Sequence, residues 1–392
     1  MSRPAALSLL SGLLLVSASL VHAARAPRAE EPLRWPAPPE VARIEYVREI
    51  RGPRDIGASE SALRRSLRAL AGARTSDDVM LTRPTDVFAD TDGRLYVSDA
   101  AAGRVYVFDP DKRSVTPWVG SGDARIGRPM GMGGDHAGNI VVTDAVNRRV
   151  LVFDRDGRMR TALGGSQVLI NPVDATMDAA GRVYVADSYL HQVVVFAPDG
   201  SVVHRIGRTV GDATGKAEEA PPVDDGNVWN QRSATSKDVR ENRGGGPGEF
   251  LYPLSLDWDE TRGLLAVVDG LNGRVQLFDR EFAHVRNVGR MGDTPGSLAR
   301  PKGVAWDAEG HLYVVDAAFN NVQIFDVEGR LLLAFGELGK GPGQLWLPVG
   351  IGIDPAGRVL VADRYNGRLQ WFRYLGADGG APNGGVTGGG GR

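Results

Sequence analysis

A six-fold internal repeat constrains this chain more than any other feature of its sequence. Each copy opens with a proline, continues through short apolar runs and carries an aspartate at the end of its second run. The copies begin at Pro84, Pro129, Pro172, Pro253, Pro301 and Pro348. Successive starts lie 45, 43, 81, 48 and 47 residues apart, so a long insertion separates the third copy from the fourth. One structural unit therefore recurs six times.

Each copy divides into four short strands, called a, b, c and d in chain order. Turn sequences such as Asp178 to Gly181 join strands a and b, where glycine supplies the positive φ of a tight hairpin. Strands b and c are apolar on both faces, as in VYVFD and IVVTD, so both faces of each sheet must be covered. Sheets that pack between two others at this repeat length predict an all-β fold, a six-bladed β-propeller of four-stranded antiparallel blades.

The sixth copy ends after strand c, with RLQWF at 368–372, and therefore lacks an outer strand. The segment 43–50, RIEYVREI, has the length and β-propensity to supply it. We expect this N-terminal strand to complete the last blade and remove an exposed edge, giving a propeller domain at 41–374. The glycine-rich segment 375–392 is predicted to be a disordered tail.

Two insertions interrupt the repeats. In the first, SESALRRSLRALA at 59–71 predicts a short amphipathic helix packed on the propeller, with a membrane-surface role as the alternative. The second, 208–246, is rich in charge, Gly and Asn and is predicted to be flexible. Both join strand d to the next strand a, and d–a and b–c connections emerge on the same rim. We expect that rim to carry the binding surface, because loops on a rigid scaffold often carry function.

The first residues are typical of an export signal. Arg3 precedes an apolar run at 7–21, and Val21-His22-Ala23 offers a small-x-small cleavage site, with 24–26 as a second option. The sequence predicts a signal peptide at 1–23, with an uncleaved anchor as the alternative, and a linker at 24–40. The chain has no cysteine, so it is not a lipoprotein and forms no disulfides. We therefore expect a periplasmic or extracellular protein without a later transmembrane segment.

The repeats resemble those of the NHL family between 84 and 372. The similarity lies in Pro-x-Gly-Val at strand a, Leu-Tyr-Val-x-Asp at strand b and Arg-Val-Gln-x-Phe-Asp at strand c. It also lies in the Gly-x-Gly-Pro-Gly-x-Leu approach to the next blade, seen at 339–345 and nearly so at 244–250. The resemblance implies a six-bladed propeller and leaves the activity open, because propellers host many functions.

An aspartate ends strand b in every copy. Because it recurs six times, we interpret it as a structural residue that accepts backbone N–H bonds and holds the b–c turn, rather than as a metal ligand. The six structural turn aspartates are Asp99, Asp144, Asp187, Asp269, Asp316 and Asp363.

The second residue after each proline is expected to face the channel mouth. Asp86 and Asp174 occupy two of these positions and are weak candidates for a divalent cation site, although turn capping or pairing with nearby arginines is the favoured interpretation. The positive charge of Lys302 at the same mouth disfavours the binding of a cation there. The six histidines are too dispersed along the repeats to gather around one metal, so no resident cofactor is expected.

The sequence favours a binding scaffold over an enzyme. A net charge of −2 gives no electrostatic footprint for nucleic acid. We expect a monomer that binds a protein, peptide or glycan; the alternative is a lactonase-like hydrolase or lyase with a divalent cation. Tyr252 and Trp346 are contact candidates, with wedges between blades as the favoured interpretation. The binding-face candidates are Arg83, Asp86, Arg128, Asp174, His191, Trp229, Tyr252, Lys302 and Trp346.

Overall fold

The computed structural model describes residues 32–58, 81–118, 124–135, 137–208 and 243–376. The predicted signal peptide, the predicted helix at 59–71, Trp229 with most of the second insertion, and the tail from 377 onward lie outside these ranges. Those four expectations stay predictions. Within the described ranges, no helix is long and apolar enough to cross a membrane.

Six antiparallel sheets confirm the predicted six-bladed β-propeller. Ahead of the repeats lie β1 (Arg34–Trp35), β2 (Ile44–Ile50) and a 3-10 turn (Pro53–Ile56). Blades 1 and 2 contain β3 (Pro84–Ala89), β4 (Leu95–Asp99), β5 (Arg104–Asp109), β6 (Ser114–Trp118), β7 (Pro129–Gly134), β8 (Ile140–Asp144), β9 (Arg149–Phe153) and β10 (Met159–Gly164). Blades 3 and 4 contain β11 (Pro172–Met177), β12 (Val183–Asp187), β13 (Gln192–Phe196), β14 (Val202–Ile206), β15 (Pro253–Asp259), β16 (Leu264–Asp269), β17 (Arg274–Phe278) and β18 (His284–Val288).

The remaining strands build the last two blades. Blade 5 contains β19 (Pro301–Trp306), β20 (Leu312–Asp316), β21 (Asn321–Phe325) and β22 (Leu331–Phe335). The connection that follows holds a short parallel pair, β23 (Glu337–Leu338) and β24 (Gln344–Leu345). Blade 6 contains β25 (Ile351–Ile353), β26 (Arg358–Asp363), a 3-10 turn (Arg364–Asn366) and β27 (Arg368–Tyr374).

The N-terminal strand closes the ring, as predicted. β2 pairs antiparallel with β27, from Ile44 opposite Tyr374 to Ile50 opposite Leu369, and it serves as the outer strand of blade 6. The structure adds a strand that the sequence analysis placed in a linker: β1 pairs with β2, which makes this sheet five-stranded. Trp35 of β1 packs against an aromatic ring of blade 5 and one of blade 6, with ring centroids 5.9 Å away in both cases.

The hydrophobic core lies between neighbouring blades. Strands β12 and β13 are buried along their whole length, which is the two-sided burial that their apolar sequence requires. One cluster joins Ile50 of the closing strand to Leu95 and Val97 of blade 1 and to Leu360 and Leu369 of blade 6. The closing strand is therefore part of the packed interior and does more than protect an edge.

Replacing Ile50 by alanine tests how much the closing strand contributes. Ile50 is fully buried, so Ile50→Ala should lower the free energy of unfolding by about 2–5 kcal/mol through lost burial and the cavity left behind. Val47 lies on the same strand and is 44% exposed, so Val47→Ala should cost less than about 0.5 kcal/mol. Urea unfolding of both variants makes the comparison, and equal losses would contradict the proposed packing.

Candidate functional site

The aspartates at the ends of the b strands organise one rim of the disc. All six are fully buried. Asp99 accepts the backbone N–H groups of Thr82 and Arg83 at 2.6 and 3.1 Å, and that of Ala102 at 3.0 Å. One carboxylate thus fixes both the d–a connection and the b–c turn. The same arrangement holds around Asp144, Asp187 and Asp316. Asp269 and Asp363 also accept a backbone N–H from the d–a connection, but the side-chain amide of Asn272 or Asn366 is their donor from the b–c turn.

The central channel contains a cavity of about 90 Å³ between the a strands. Its lining includes Asp86, Asp174, Ser255 and Asp257. The volume suits a few water molecules, whereas sites for organic ligands usually measure about 300–1,000 Å³. The cavity therefore brings carboxylates together in a space that holds a few water molecules.

Each channel carboxylate accepts a backbone N–H from the a strand of the next blade. Asp86 accepts the N–H of Met132 at 2.8 Å, and Asp257 accepts that of Trp306, also at 2.8 Å. Asp174 accepts that of Leu256 at 3.0 Å. These bonds join blades 1 and 2, 3 and 4, and 4 and 5. The channel aspartates therefore connect neighbouring blades.

Sequence reasoning missed Asp257. It lies four residues after its proline, whereas the sequence analysis considered only the second position. Residues two apart on a strand share a face, and Ser255 occupies the second position after its proline, which was expected to face the mouth. That alternation was the signal that pointed to Asp257.

Glycines in preceding blades make room for two of these aspartates. A Cβ on Gly131 of blade 2 would lie 2.0 Å from Oδ1 of Asp174 in blade 3. A Cβ on Gly350 of blade 6 would lie 2.5 Å from both Cα and Oδ1 of Asp86 in blade 1. Gly131 and Gly350 therefore leave the space that the aspartate of the next blade occupies.

Burial shifts the titration of the channel carboxylates. Burial raises the pKa of Asp174 to about 7 and the pKa of Asp257 to about 7. Burial, together with the negative charge of Asp174, raises the pKa of Asp86 well above its ordinary value. Over the ranges the structure describes, no three His, Asp or Glu side chains converge closely enough to hold a metal ion. The site is thus an acidic channel whose carboxylates retain protons near neutral pH.

Positive residues flank the channel mouth at three of the six blades. Arg83, Arg128 and Arg300 directly precede the prolines of blades 1, 2 and 5, and Lys302 follows that of blade 5. Burial and the charges of Arg300 and Arg364 lower the pKa of Lys302 to about 8. The backbone N–H groups of Arg83, Arg128 and Arg300 donate to rim aspartates, so these positive residues lie on that rim.

His191 and Tyr252 lie together on the same rim, between blades 3 and 4. His191 is only 1% exposed, and its Nδ1 accepts the backbone N–H of Tyr252 at 3.0 Å. Nε of Arg243 lies 3.1 Å from its Nε2. Burial and the charge of Arg243 lower the pKa of His191 to about 3, so the imidazole is neutral at physiological pH. Tyr252 is also buried, packed edge-on against the His191 ring.

A partly exposed aromatic platform, with Trp346 half-buried, lies across the ring, on blade 6. Trp346 and Tyr365 place their ring centroids 5.8 Å apart, and Tyr365 is 49% exposed. The Nζ of Lys340 lies 5.0 Å from the Trp346 ring centre, and the guanidinium of Arg83 lies 5.8 Å from that of Tyr365. The N–H of Trp346 donates to the rim aspartate Asp363 at 2.8 Å, which fixes the platform's backbone.

The sequence analysis named Trp346 but not Tyr365. The signal that could have found Tyr365 is its place in the b–c turn, two residues after a rim aspartate.

The comparisons with known proteins agree with this architecture. The NHL repeat family model matches residues 169–196 and 345–372, which confirms the resemblance at two of the copies. A search of curated protein sequences found no match. The described part of the chain is a six-bladed β-propeller that carries NHL repeats.

Solved structures show the same fold at low sequence identity. A Bacteroides thetaiotaomicron protein of unknown function is 14% identical with a TM-score of 0.53, covering 76% of this chain and 70% of its own. An auxiliary nutrient binding protein from the same species is 14% identical with a TM-score of 0.51, covering 76% and 71%. A gluconolactonase from Xanthomonas campestris is 16% identical with a TM-score of 0.51, covering 84% and 98%. These likenesses concern the fold alone.

Substituting Gly131 tests the pairing of glycine with aspartate across blades. Gly131→Ala should lower the free energy of unfolding by about 1–3 kcal/mol, because the new methyl group overlaps Asp174 and its backbone. Gly245→Ala is the matched control, since its nearest neighbour would lie at 3.8 Å and the change should be close to neutral. Thermal and urea unfolding provide the measurement, and an unchanged free energy of unfolding in Gly131→Ala would contradict the packing.

The channel carboxylates predict a pH dependence of stability. Their pKa values are higher in the folded chain than the ordinary value of 3.8, so the folded state holds extra protons. The resulting stabilisation is complete below about pH 4 and is lost as the pH rises through about 7. Asp174→Asn and Asp257→Asn should each flatten the fall in the free energy of unfolding between about pH 5 and pH 8.

The control for this titration is Asp199→Asn. Hydrogen bonds from Ser201 lower the pKa of Asp199, so its substitution should leave the slope above pH 5 unchanged. Urea unfolding at a series of pH values gives the slope for each variant. Identical slopes in the wild type and both channel variants would show that these groups titrate normally.

Proposed function

We propose that the protein is an exported binding scaffold that holds a protein, peptide or glycan partner on the rim formed by its d–a connections and b–c turns. The observation that carries the proposal is the partly exposed platform of Trp346 and Tyr365 with the cations of Lys340 and Arg83 beside it. Aromatic residues and arginine supply most of the binding energy in protein interfaces.

The rigidity of the rim supports this proposal. Buried carboxylates accept backbone N–H groups of the d–a connections, as Asp363 does for Trp346, and also hold the b–c turns. A preorganised surface loses little conformational entropy when a partner binds, so more of the contact energy appears as affinity. The buried aspartates thus stabilise the fold and preorganise the surface.

Positive side chains beside the channel mouth favour a partner with acidic groups. The whole chain carries a net charge of −2, yet Arg83, Arg128, Arg300 and Lys302 border the channel mouth. Opposite charge on a partner would increase the association rate and fix its orientation. The proposed partner is therefore a protein, peptide or glycan that presents carboxylates or comparable anions.

A hydrolase or lyase that uses a divalent cation is the second candidate function. The raised pKa values of Asp86, Asp174 and Asp257 favour it, because perturbed carboxylates cluster in functional sites. The fold is compatible with both proposals, since structures of similar shape include a nutrient binding protein and a gluconolactonase. A tightly held divalent ion in the purified protein, lost in an Asp86→Asn plus Asp174→Asn variant, would support the enzyme.

Removing the aromatic platform tests the binding proposal. Trp346→Ala and Tyr365→Ala should each weaken partner capture by about tenfold or more, as expected for central aromatic contacts. Leu332→Ala is the control, because Leu332 is 51% exposed on an outer strand, away from the rim. Cross-linking in the producing cells, followed by quantitative mass spectrometry, compares the variants. An unchanged partner set in both rim variants would contradict the choice of surface.

A further inference from the structure

The hydrogen bonds around His191 contain more donors than acceptors. A neutral imidazole offers one N–H donor and one lone pair. The N–H of Tyr252 donates to Nδ1, so the ring proton must lie on Nε2. Nε2–H then faces the Nε–H of Arg243 at 3.1 Å, and neither group can accept from the other. If the proton lay on Nδ1 instead, the N–H of Tyr252 would lose its acceptor.

Two tyrosines add further donors beside this contact. The Tyr252 hydroxyl lies 3.5 Å from the Arg243 guanidinium. Tyr189 is only 5% exposed, and its buried hydroxyl has no hydrogen-bond partner among the described residues. The rings of Tyr189 and Tyr252 meet edge to face, with centroids 6.5 Å apart. A buried polar group without a partner is uncommon and points to an absent acceptor.

The positive charge of Arg243 also lacks an opposite charge. Across the parts of the chain that the structure describes, no carboxylate lies within 4.0 Å of its guanidinium. His191 remains neutral next to it, because burial and this same charge lower the pKa of His191 to about 3. The cluster therefore presents one positive charge, several N–H and O–H donors and apolar tyrosine rings.

We propose that Arg243, His191, Tyr252 and Tyr189 form a binding site for a carboxylate group. One carboxylate oxygen would accept from both Nε2–H of His191 and Arg243, and the second would accept from Arg243 and the tyrosine hydroxyls. A carboxylate matches the single positive charge and the planar guanidinium. A phosphate carries close to two negative charges at neutral pH, and only one would be neutralised here.

The carboxylate site adds a second contact point to the proposed binding rim, and its role in partner binding rests on the proposed function. It lies between blades 3 and 4 on the proposed binding rim, whereas the Trp346 platform belongs to blade 6 on the other side of the ring. A partner that spans the mouth would be anchored by an aromatic contact at one end and by a carboxylate at the other. The carboxylate site itself can be tested with a small molecule and without the partner.

The test uses the full-length protein titrated with sodium acetate at constant ionic strength, followed by NMR and thermal unfolding. Acetate should bind saturably with a Kd on the order of millimolar, as expected for so small a ligand, and neutral acetamide should not bind. Arg243→Gln should weaken acetate binding at least tenfold. Arg286→Gln, which removes an exposed arginine from β18, should leave it unchanged.

Tyr189→Phe separates binding from a purely structural role. Removing an unpaired buried hydroxyl should leave the melting temperature unchanged or raise it, and it should weaken acetate binding several-fold. Equal binding of acetamide, full acetate affinity in Arg243→Gln, or tighter binding of phosphate than of acetate would each overturn the assignment. If acetate binds as expected while rim variants retain the partner, the proposed function fails and the carboxylate site stands.

Discussion

Hydrogen bonds from backbone N–H groups to buried carboxylates are the interaction on which this structure depends. A buried carboxylate is costly unless donors satisfy it, and connections between strands contain N–H groups that no sheet can pair. In this structure the N–H groups of the connections donate to the buried carboxylates, so both kinds of group are satisfied. Rim aspartates such as Asp99 hold a d–a connection and a b–c turn together, and channel aspartates such as Asp86 join neighbouring blades. Without any cysteine for cross-links, these bonds, the closing strand and the apolar packing between blades hold the ring.

The parts of the fold that repeat were predictable from the sequence. Six copies whose strands are apolar on both faces indicated the six blades. The last copy lacks a strand d, which indicated that 43–50 closes the ring. The strand β1 was not predictable, because two residues carry no period and its pairing depends on Trp35 packing between blades. A turn residue such as Tyr365 carries no apolar period either, so its exposed ring could not be assigned to a surface.

Contacts between distant segments limited the prediction of the site. Arg243 meets His191 across 52 residues of sequence, on the far side of an insertion, and no local pattern links them. The relation between Gly131 and Asp174 was also hidden, because it requires knowing which side chain of one blade enters the space of the next. Once the positions of the blades are known, the Gly131–Asp174 relation follows from steric overlap. The Arg243–His191 site follows from the number of hydrogen-bond donors and acceptors.

The central claim is that the molecule acts through the rim of d–a and b–c connections. Site-specific photocross-linking tests it most directly, with a photoreactive residue placed at position 365 on that rim or at position 281 in an exposed turn on the opposite rim. Our account predicts a discrete partner adduct from position 365 and none from position 281. Adducts that form from position 281 and not from position 365 would contradict it.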